Sequence, residues 1–337
     1  MTEILLTIFF ISVLLIFLGS GIWVAISMVG VSSIGMMLFT TRPVGDAMAT
    51  TIWGASSSWT LTALPLFVWM GEILFRTKLS ENLFEGLSPW MQKLPGGLVH
   101  VNVVGCALFA AISGSSAATV ATVGKMSIPE LRKRKYPESI LLGSLAGSGT
   151  LGLLIPPSII LIIYGVTVQE SIAKLFIAGI LPGIMIALIF MTYVMIWSLI
   201  NKKSMPTFKQ DFTLMEKVRK SGKLIPVILL IVSVIGSIYT GIATATEAAS
   251  LGVVGALILS YFQKSLSLRT FKESLLGATK TSCMIAFILA GATFLSLAMG
   301  FTGLPRNLAL WIEGMELSPY VLICLLYTSP SPRDTIR

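Results

Sequence analysis

The sequence predicts an all-α polytopic membrane protein, and three observations carry that prediction. Of 337 residues, 55% are apolar and 12% charged, whereas soluble domains are about a quarter charged. Mean hydropathy is +0.88. Several apolar runs are long enough for a helix to cross about 30 Å of hydrocarbon, which takes about 20 residues; the period-2 alternation of an outer-membrane barrel is absent.

The first apolar segment, 4–18, follows Glu3 rather than a basic residue and lacks a small-residue cleavage site, so it reads as a retained span. Further spans follow at 22–39, 60–76, 139–165, 171–200, 224–239, 242–262 and 281–300, and another apolar segment begins near 319. Basic residues set their orientation. One loop carries Arg132, Lys133, Arg134 and Lys135; a second runs from Lys202 to Lys223, a third from Lys264 to Lys280. Two spans separate each loop from the next, so all three are cytoplasmic. The loops left outside hold Arg42 and Arg306, plus Lys174 just inside the next helix, with Asp46, Glu170, Glu313 and Glu316. The net charge of +9 therefore reflects topology; the basic residues form no nucleic-acid footprint on one folded face.

Segment 76–97 carries Arg76, Lys78 and Lys93 and also reads as cytoplasmic. A single crossing at 98–129 would put it opposite the basic run at 132–135. A re-entrant hairpin over 97–129 keeps both on one side, with arms at about 97–112 and 117–128 and the SGSS tip at 113–116. Irregular backbone at that depth is tolerated only inside protein or around a water-filled cavity.

A second irregularity is GSGTLGLLIPPSI at 147–159. Its glycines loosen a helix and Pro156–Pro157 interrupt it, so the span 139–165 divides into two half-helices, the second starting at Pro157. Gly147, Gly149 and Gly152 match G-x-G-x-x-G, but no strand precedes them and Glu170 falls beyond the membrane edge, which excludes a dinucleotide site. No phosphate-binding loop is present. Helix N-termini, at the tip with Ser115 or Ser116 as cap and at Pro157, suit a carboxylate. The carbonyl ends near Ala111 and Gly149, with serine and threonine hydroxyls, suit a small hard cation. Transporters bind substrate and coupling ions at such discontinuous helices. For Ala117, Ala118 and Ala121 close helix packing is the better reading.

Two acids lie in spans. Glu72 sits close to the cytoplasmic end of its span, where it can snorkel or cap; Glu247 counts as deeper, where an ionisable side chain is functional or architectural. Cys106, Cys283 and Cys324 lack metal or redox spacing, and His100 stands without a partner.

Two halves align at an offset of about 220 to 225 residues: FLGSGIWVAISMVGVSSIG with YTGIATATEAASLGVVGA, and LSENLFEGL with LPRNLALWI, where Asn82 meets Asn307. The charge assignment runs 60–76 inward and 281–300 outward, the pattern of an inverted repeat. The first repeat is 1–200, the cytoplasmic basic linker 201–223 and the incomplete second repeat 224–325. The polar, Pro-rich 326–337 reads as a non-native tail on a C-terminally truncated chain, which is expected to be inactive without the second hairpin.

ISGSSAATVATVGKMSIPELRKR, AGSGTLGLLIPPSIILIIYGV and TGIATATEAAS, in this order and spacing, resemble the large membrane subunit of the tripartite ATP-independent periplasmic (TRAP) transporters over essentially residues 1 to 325. Ala245 departs from the proline common there. The resemblance implies an elevator-type transporter in the bacterial inner membrane that takes up a small organic anion, such as a C4-dicarboxylate or sugar acid, with Na⁺ as coupling ion and no other cofactor. It implies a periplasmic binding protein and a small four-helix membrane subunit as partners. Carried over by motif, Ser113, Ser115 and Ser116 with Gly149, Thr150, Gly152 and Pro156 hold the cation, while Gly114, Ser116, Pro157 and Ser158 face the substrate. A related symporter working without a binding protein is the alternative reading. An intramembrane enzyme lacks its nucleophile–base pair, since no aspartate lies in any span. A non-transporting scaffold leaves the broken helices unexplained.

Overall fold

The structure, a computed structural model, describes residues 2–77, 79–206, 212–315, 317, 318, 320 and 321. Every regular element among them is helical. In chain order these are α1 (Thr2–Gly19), α2 (Val24–Phe39), α3 (Val44–Ser56), α4 (Ala63–Phe75), α5 (Leu79–Met91), α6 (Val99–Ser113) and α7 (Ser116–Lys133). There follow α8 (Glu138–Gly149), α9 (Ile159–Val168), α10 (Ile172–Ile200), α11 (Leu214–Ser221), α12 (Ile225–Tyr239), α13 (Ala245–Phe262), α14 (Leu268–Phe301) and α15 (Leu304–Glu313). The tail assigned to 326–337 and nearly all of the arm expected from 319 lie outside the described residues.

Four helical stretches are long and apolar enough to cross a membrane: Ile172–Ile200, Leu214–Tyr239, Ala245–Phe262 and Leu268–Phe301. Val44–Ser56 and Trp59–Phe75 make a fifth if counted as one broken span. The protein is therefore a multi-pass helical membrane protein.

Residues 1–57 with 285–337 form one compact unit and 58–284 another. In the first, Met36, Phe294 and Ala298 are fully buried, with Val29, Val44, Ala47, Met48, Leu297 and Phe301 packed around them. Here the sequence reading missed α3. Asp46, Thr50, Thr51 and Gly54 hide it from a hydropathy count, but Val44, Ala47 and Met48 recur at helical spacing and face that core. The guanidinium of Arg42, just ahead of α3, lies 4.3 Å from the centre of the Phe301 ring.

In the second unit, α4 packs along α13, and α6, α7 and α8 pack against one another. α14 starts well before the span assigned at 281–300. The hydroxyl of Ser267 accepts from Thr270 N (3.1 Å), and Arg269 pairs with Glu273 one turn on, so a polar first turn is helical although hydropathy does not mark it. α5, within a segment read only as cytoplasmic, buries Leu83 and Leu87 on one face. The return arm of the hairpin runs five residues past the expected 128, ending with Arg132 and Lys133 in its last turn, where basic side chains favour the negative helix end.

The two halves share an order of elements. A glycine with positive φ follows both α1 and α12 (Gly21, φ 81°; Gly241, φ 71°). Each is followed by a helix starting within four residues, at Val24 and Ala245. The broken pair α3–α4 and the continuous α14 occupy the same place, and α5 and α15 come next.

Candidate substrate and cation site

The hairpin turns where the sequence places its tip. Helix α6 ends at Ser113, and Gly114 takes the left-handed conformation (φ 58°, ψ 9°) that closes many helices. Ser115 is extended and caps α7, its hydroxyl accepting from Ala118 N at 3.4 Å. The hydroxyls of Ser113, Ser115 and Thr119 bond to each other and to the backbone. Ser113 Oγ lies 3.0 Å from Thr119 Oγ1, and Thr119 Oγ1 donates to Ser115 O at 2.7 Å. Ser113 Oγ lies 3.3 Å from Ser115 O and accepts from Ser115 N at 3.4 Å. Ser113 and Thr119 are buried, so this knot satisfies polar atoms that would otherwise be costly. Thr119, absent from the motif-based site, is thus one of its central members.

The break in the following helix also stands where expected. α8 stops at Gly149, a 3-10 turn covers Thr150–Leu153, and non-helical chain leads to α9. The second half-helix starts at Ile159 rather than Pro157, with Ser158 before it as cap residue. That cap makes no side-chain bond to α9, because Ser158 Oγ donates backwards across the break to Leu153 O (2.5 Å). Thr150 is exposed and its hydroxyl donates to Gly147 O (2.7 Å).

Tip and break lie directly on one another. Gly114 O accepts from Ile159 N at 3.2 Å, so the first amide of α9, read from sequence as free for a carboxylate, is taken by the tip itself. A Cβ at Gly114 would stand 2.6 Å from Pro157 O; one at Gly152 would stand 2.8–2.9 Å from backbone atoms of Ser115 and Ser116. Gly149 packs against Val120 and lies near Ser116 O. Of the motif residues, Ser113, Gly114, Ser115, Ser116, Gly149, Gly152 and Pro157 therefore come together. Pro156 lies behind the break, beside Gly179 of α10.

Two features escaped sequence reading. A Cβ on Gly71 would lie 3.0 Å from Ser113 Cα, so α4 supports the tip through Gly71, the residue before the noticed Glu72. Below the tip, Asn102 bridges α6 to α8, donating to Leu141 O (3.3 Å) and Ser144 Oγ (3.0 Å). Ser148 Oγ donates to Ser144 O (2.5 Å). A lone amide within an apolar arm was the available signal.

Of the two acids, Glu72 stands in the last turn of its helix as expected, and Glu247 departs from expectation. Glu72 pairs with Arg76 one turn away and packs at Gly277 of α14. Glu247 is not deep in its helix: it is the third residue of α13, exposed, in a capping box with Thr244. Glu247 Oε2 accepts from Thr244 N, and Thr244 Oγ1 accepts from Glu247 N. The span count placed the start of the helix three residues too early, at 242.

The lone-pair donors at the tip are hydroxyl and backbone carbonyl oxygens of Ser113, Gly114, Ser115 and Thr119, and among the described residues no three His, Cys, Asp or Glu gather to hold a metal. Such a donor set suits a hard cation. A hairpin resting on an interrupted helix, within a chain of membrane-length helices, defines a membrane permease for small solutes. Residues 10–328 match the family described as the tripartite ATP-independent periplasmic transporter, DctM component, and the chain belongs to that family. It is 32% identical over 292 residues to the C4-dicarboxylate TRAP transporter large permease protein DctM of Pseudomonas aeruginosa, covering 86% of this chain and 67% of that one. The Rhodobacter capsulatus protein of the same name is 31% identical over 340 residues (94% and 76%). The sialic acid TRAP transporter large permease protein SiaM of Vibrio cholerae is 30% identical over 310 residues (92% and 72%). The family is one of transporter permeases, not enzymes.

Proposed function

We propose that the chain is the large permease subunit for Na⁺-coupled uptake of a small organic anion across the bacterial inner membrane. A periplasmic binding protein delivers the anion, and a small membrane subunit completes the complex. The contact between hairpin tip and broken helix carries this reading: it brings hydroxyls, helix-end carbonyls and two helix N-termini into one place. Ser113, Ser115, Ser116 and the chain from Gly149 through Thr150 and Gly152 to Pro156 are the cation candidates. The Thr150 hydroxyl donates its proton to Gly147 O, which leaves its oxygen lone pairs for a cation. Bound Na⁺ supplies positive charge beside the anion and links its binding to the gradient. Gly114, Ser116, Pro157 and Ser158 form the substrate-facing edge, where the N-terminus of α7 favours negative charge. Relatives named for C4-dicarboxylate and sialic acid support a carboxylate as the substrate class. The shared order of elements in the two halves supports an inverted repeat, and elevator motion is what the family resemblance implies.

The test reads Na⁺ binding by the purified chain in detergent. NaCl should raise its melting temperature above that in choline chloride at equal ionic strength, and Ser115→Ala with Ser116→Ala should remove the difference while leaving size-exclusion behaviour unchanged. A sodium effect that survives the double substitution would refute the site. In proteoliposomes containing the whole complex, uptake without binding protein would refute delivery by that partner.

A further inference from the structure

A cleft of about 410 Å³ lies between the α5–α6 loop and the end of α10. None of its lining residues belongs to the hairpin tip or the broken helix. Among the described residues, Lys93 and Lys202 are the charged residues that line it, and no Asp or Glu does. The acids flanking its Tyr136 are already engaged, Glu130 with Arg134 and Glu138 with Arg132. Among the described residues, an anion entering the cleft therefore meets two lysines and no facing carboxylate.

The neutral lining is equally suited to an anion. The buried Tyr136 hydroxyl accepts a hydrogen bond from Leu98 N at 3.2 Å, which leaves its own proton to donate. Gly97 (φ 54°) admits that hydroxyl; a Cβ there would stand 2.6 Å from it. Gln92 brings a carboxamide whose buried oxygen has no partner among the described residues, and rotation of the amide exchanges that acceptor for an NH₂ donor. Leu94, Pro95, Leu199 and Met205 make the remaining wall apolar.

The position favours phosphate over other anions. Helix α10 presents exposed Ile196, Leu199 and Ile200 along its final turns and ends at once in Asn201, Lys202 and Lys203. Basic groups where an apolar span ends stand at the depth of lipid phosphates, and lysine binds phosphate as a point charge. We propose that this cleft binds a phosphate group through Lys93, Lys202 and the Tyr136 hydroxyl, presented by an anionic phospholipid headgroup or by soluble phosphate.

The purified chain in a neutral detergent is titrated by calorimetry with dihexanoyl phosphatidylglycerol, with inorganic phosphate and with dihexanoylglycerol, which lacks phosphate. Phosphatidylglycerol should bind, and Lys93→Gln with Lys202→Gln should weaken it about 25-fold, about fivefold per charge. Inorganic phosphate binding with the same loss would identify the soluble source. Where it fails to bind, the lipid is the source. The proposal is overturned if neither phosphate compound binds, if dihexanoylglycerol binds as well as phosphatidylglycerol, or if the folded double variant binds like the parent. Should that variant not elute as a folded species, Tyr136→Phe replaces it, and unchanged binding there also overturns the proposal.

Discussion

Gly152→Ala probes the contact between hairpin tip and broken helix. The new Cβ would stand 2.8 Å from Ser115 C and 2.9 Å from Ser115 O and Ser116 N, about 0.6 Å inside ordinary contact. All three are backbone atoms, so no side-chain rotation relieves the overlap and the tip must move off the break. Overpacking of this kind costs about 1–3 kcal/mol. Gly143→Ala is the control: it lies on the preceding half-helix with no atom within 4 Å of its Cβ position, and alanine there is favoured by about 0.5–1 kcal/mol. The reporter is Cys106, fully buried on α6, in a background where Cys283 and Cys324 are serine. A maleimide reaches Cys106 only when the hairpin opens, so the labelling rate follows the opening equilibrium. Gly152→Ala should raise that rate about 5- to 150-fold, while Gly143→Ala should leave it unchanged or lower it. Equal rates for Gly152→Ala and the parent, or equal acceleration by the control, would refute the argument.

Thr244→Ala removes the capping box of α13 and should lower stability by about 1 kcal/mol, read as a lower melting temperature. Glu247→Gln should likewise affect melting and leave sodium-dependent stabilisation intact; loss of the sodium effect would refute a purely capping role for Glu247. Cysteines replacing Lys93 and Arg132 should both react with a membrane-impermeant maleimide from the cytoplasmic face in oriented vesicles. Labelling from opposite faces would overturn the re-entrant hairpin.

The tip and the break were legible because each depends on local chemistry. A glycine between serines turns a helix, and adjacent prolines with glycines stop one. The observed turn at Gly114 and break at Gly149–Ser158 follow those signals closely. Helices that hydropathy marks weakly were not legible. α3 and the start of α14 contain charged and hydroxyl residues that are helical because of a buried face or a cap. Glu247 was misjudged for a related reason: span counting does not see that Thr244 caps its helix.

By itself, the sequence determined the membrane class, the helical hairpin, the broken helix and the family, since composition, charge runs and Gly/Pro signals act over a few residues. Only the tertiary structure decided that the tip rests on the break through Gly114, Gly152 and Ile159. It alone showed that Gly71 supports the tip, that Thr119 joins its hydroxyl knot and that Asn102 ties the arm to α8. Those contacts join residues on different helices, and close approach between helices depends on packing geometry that no local pattern encodes.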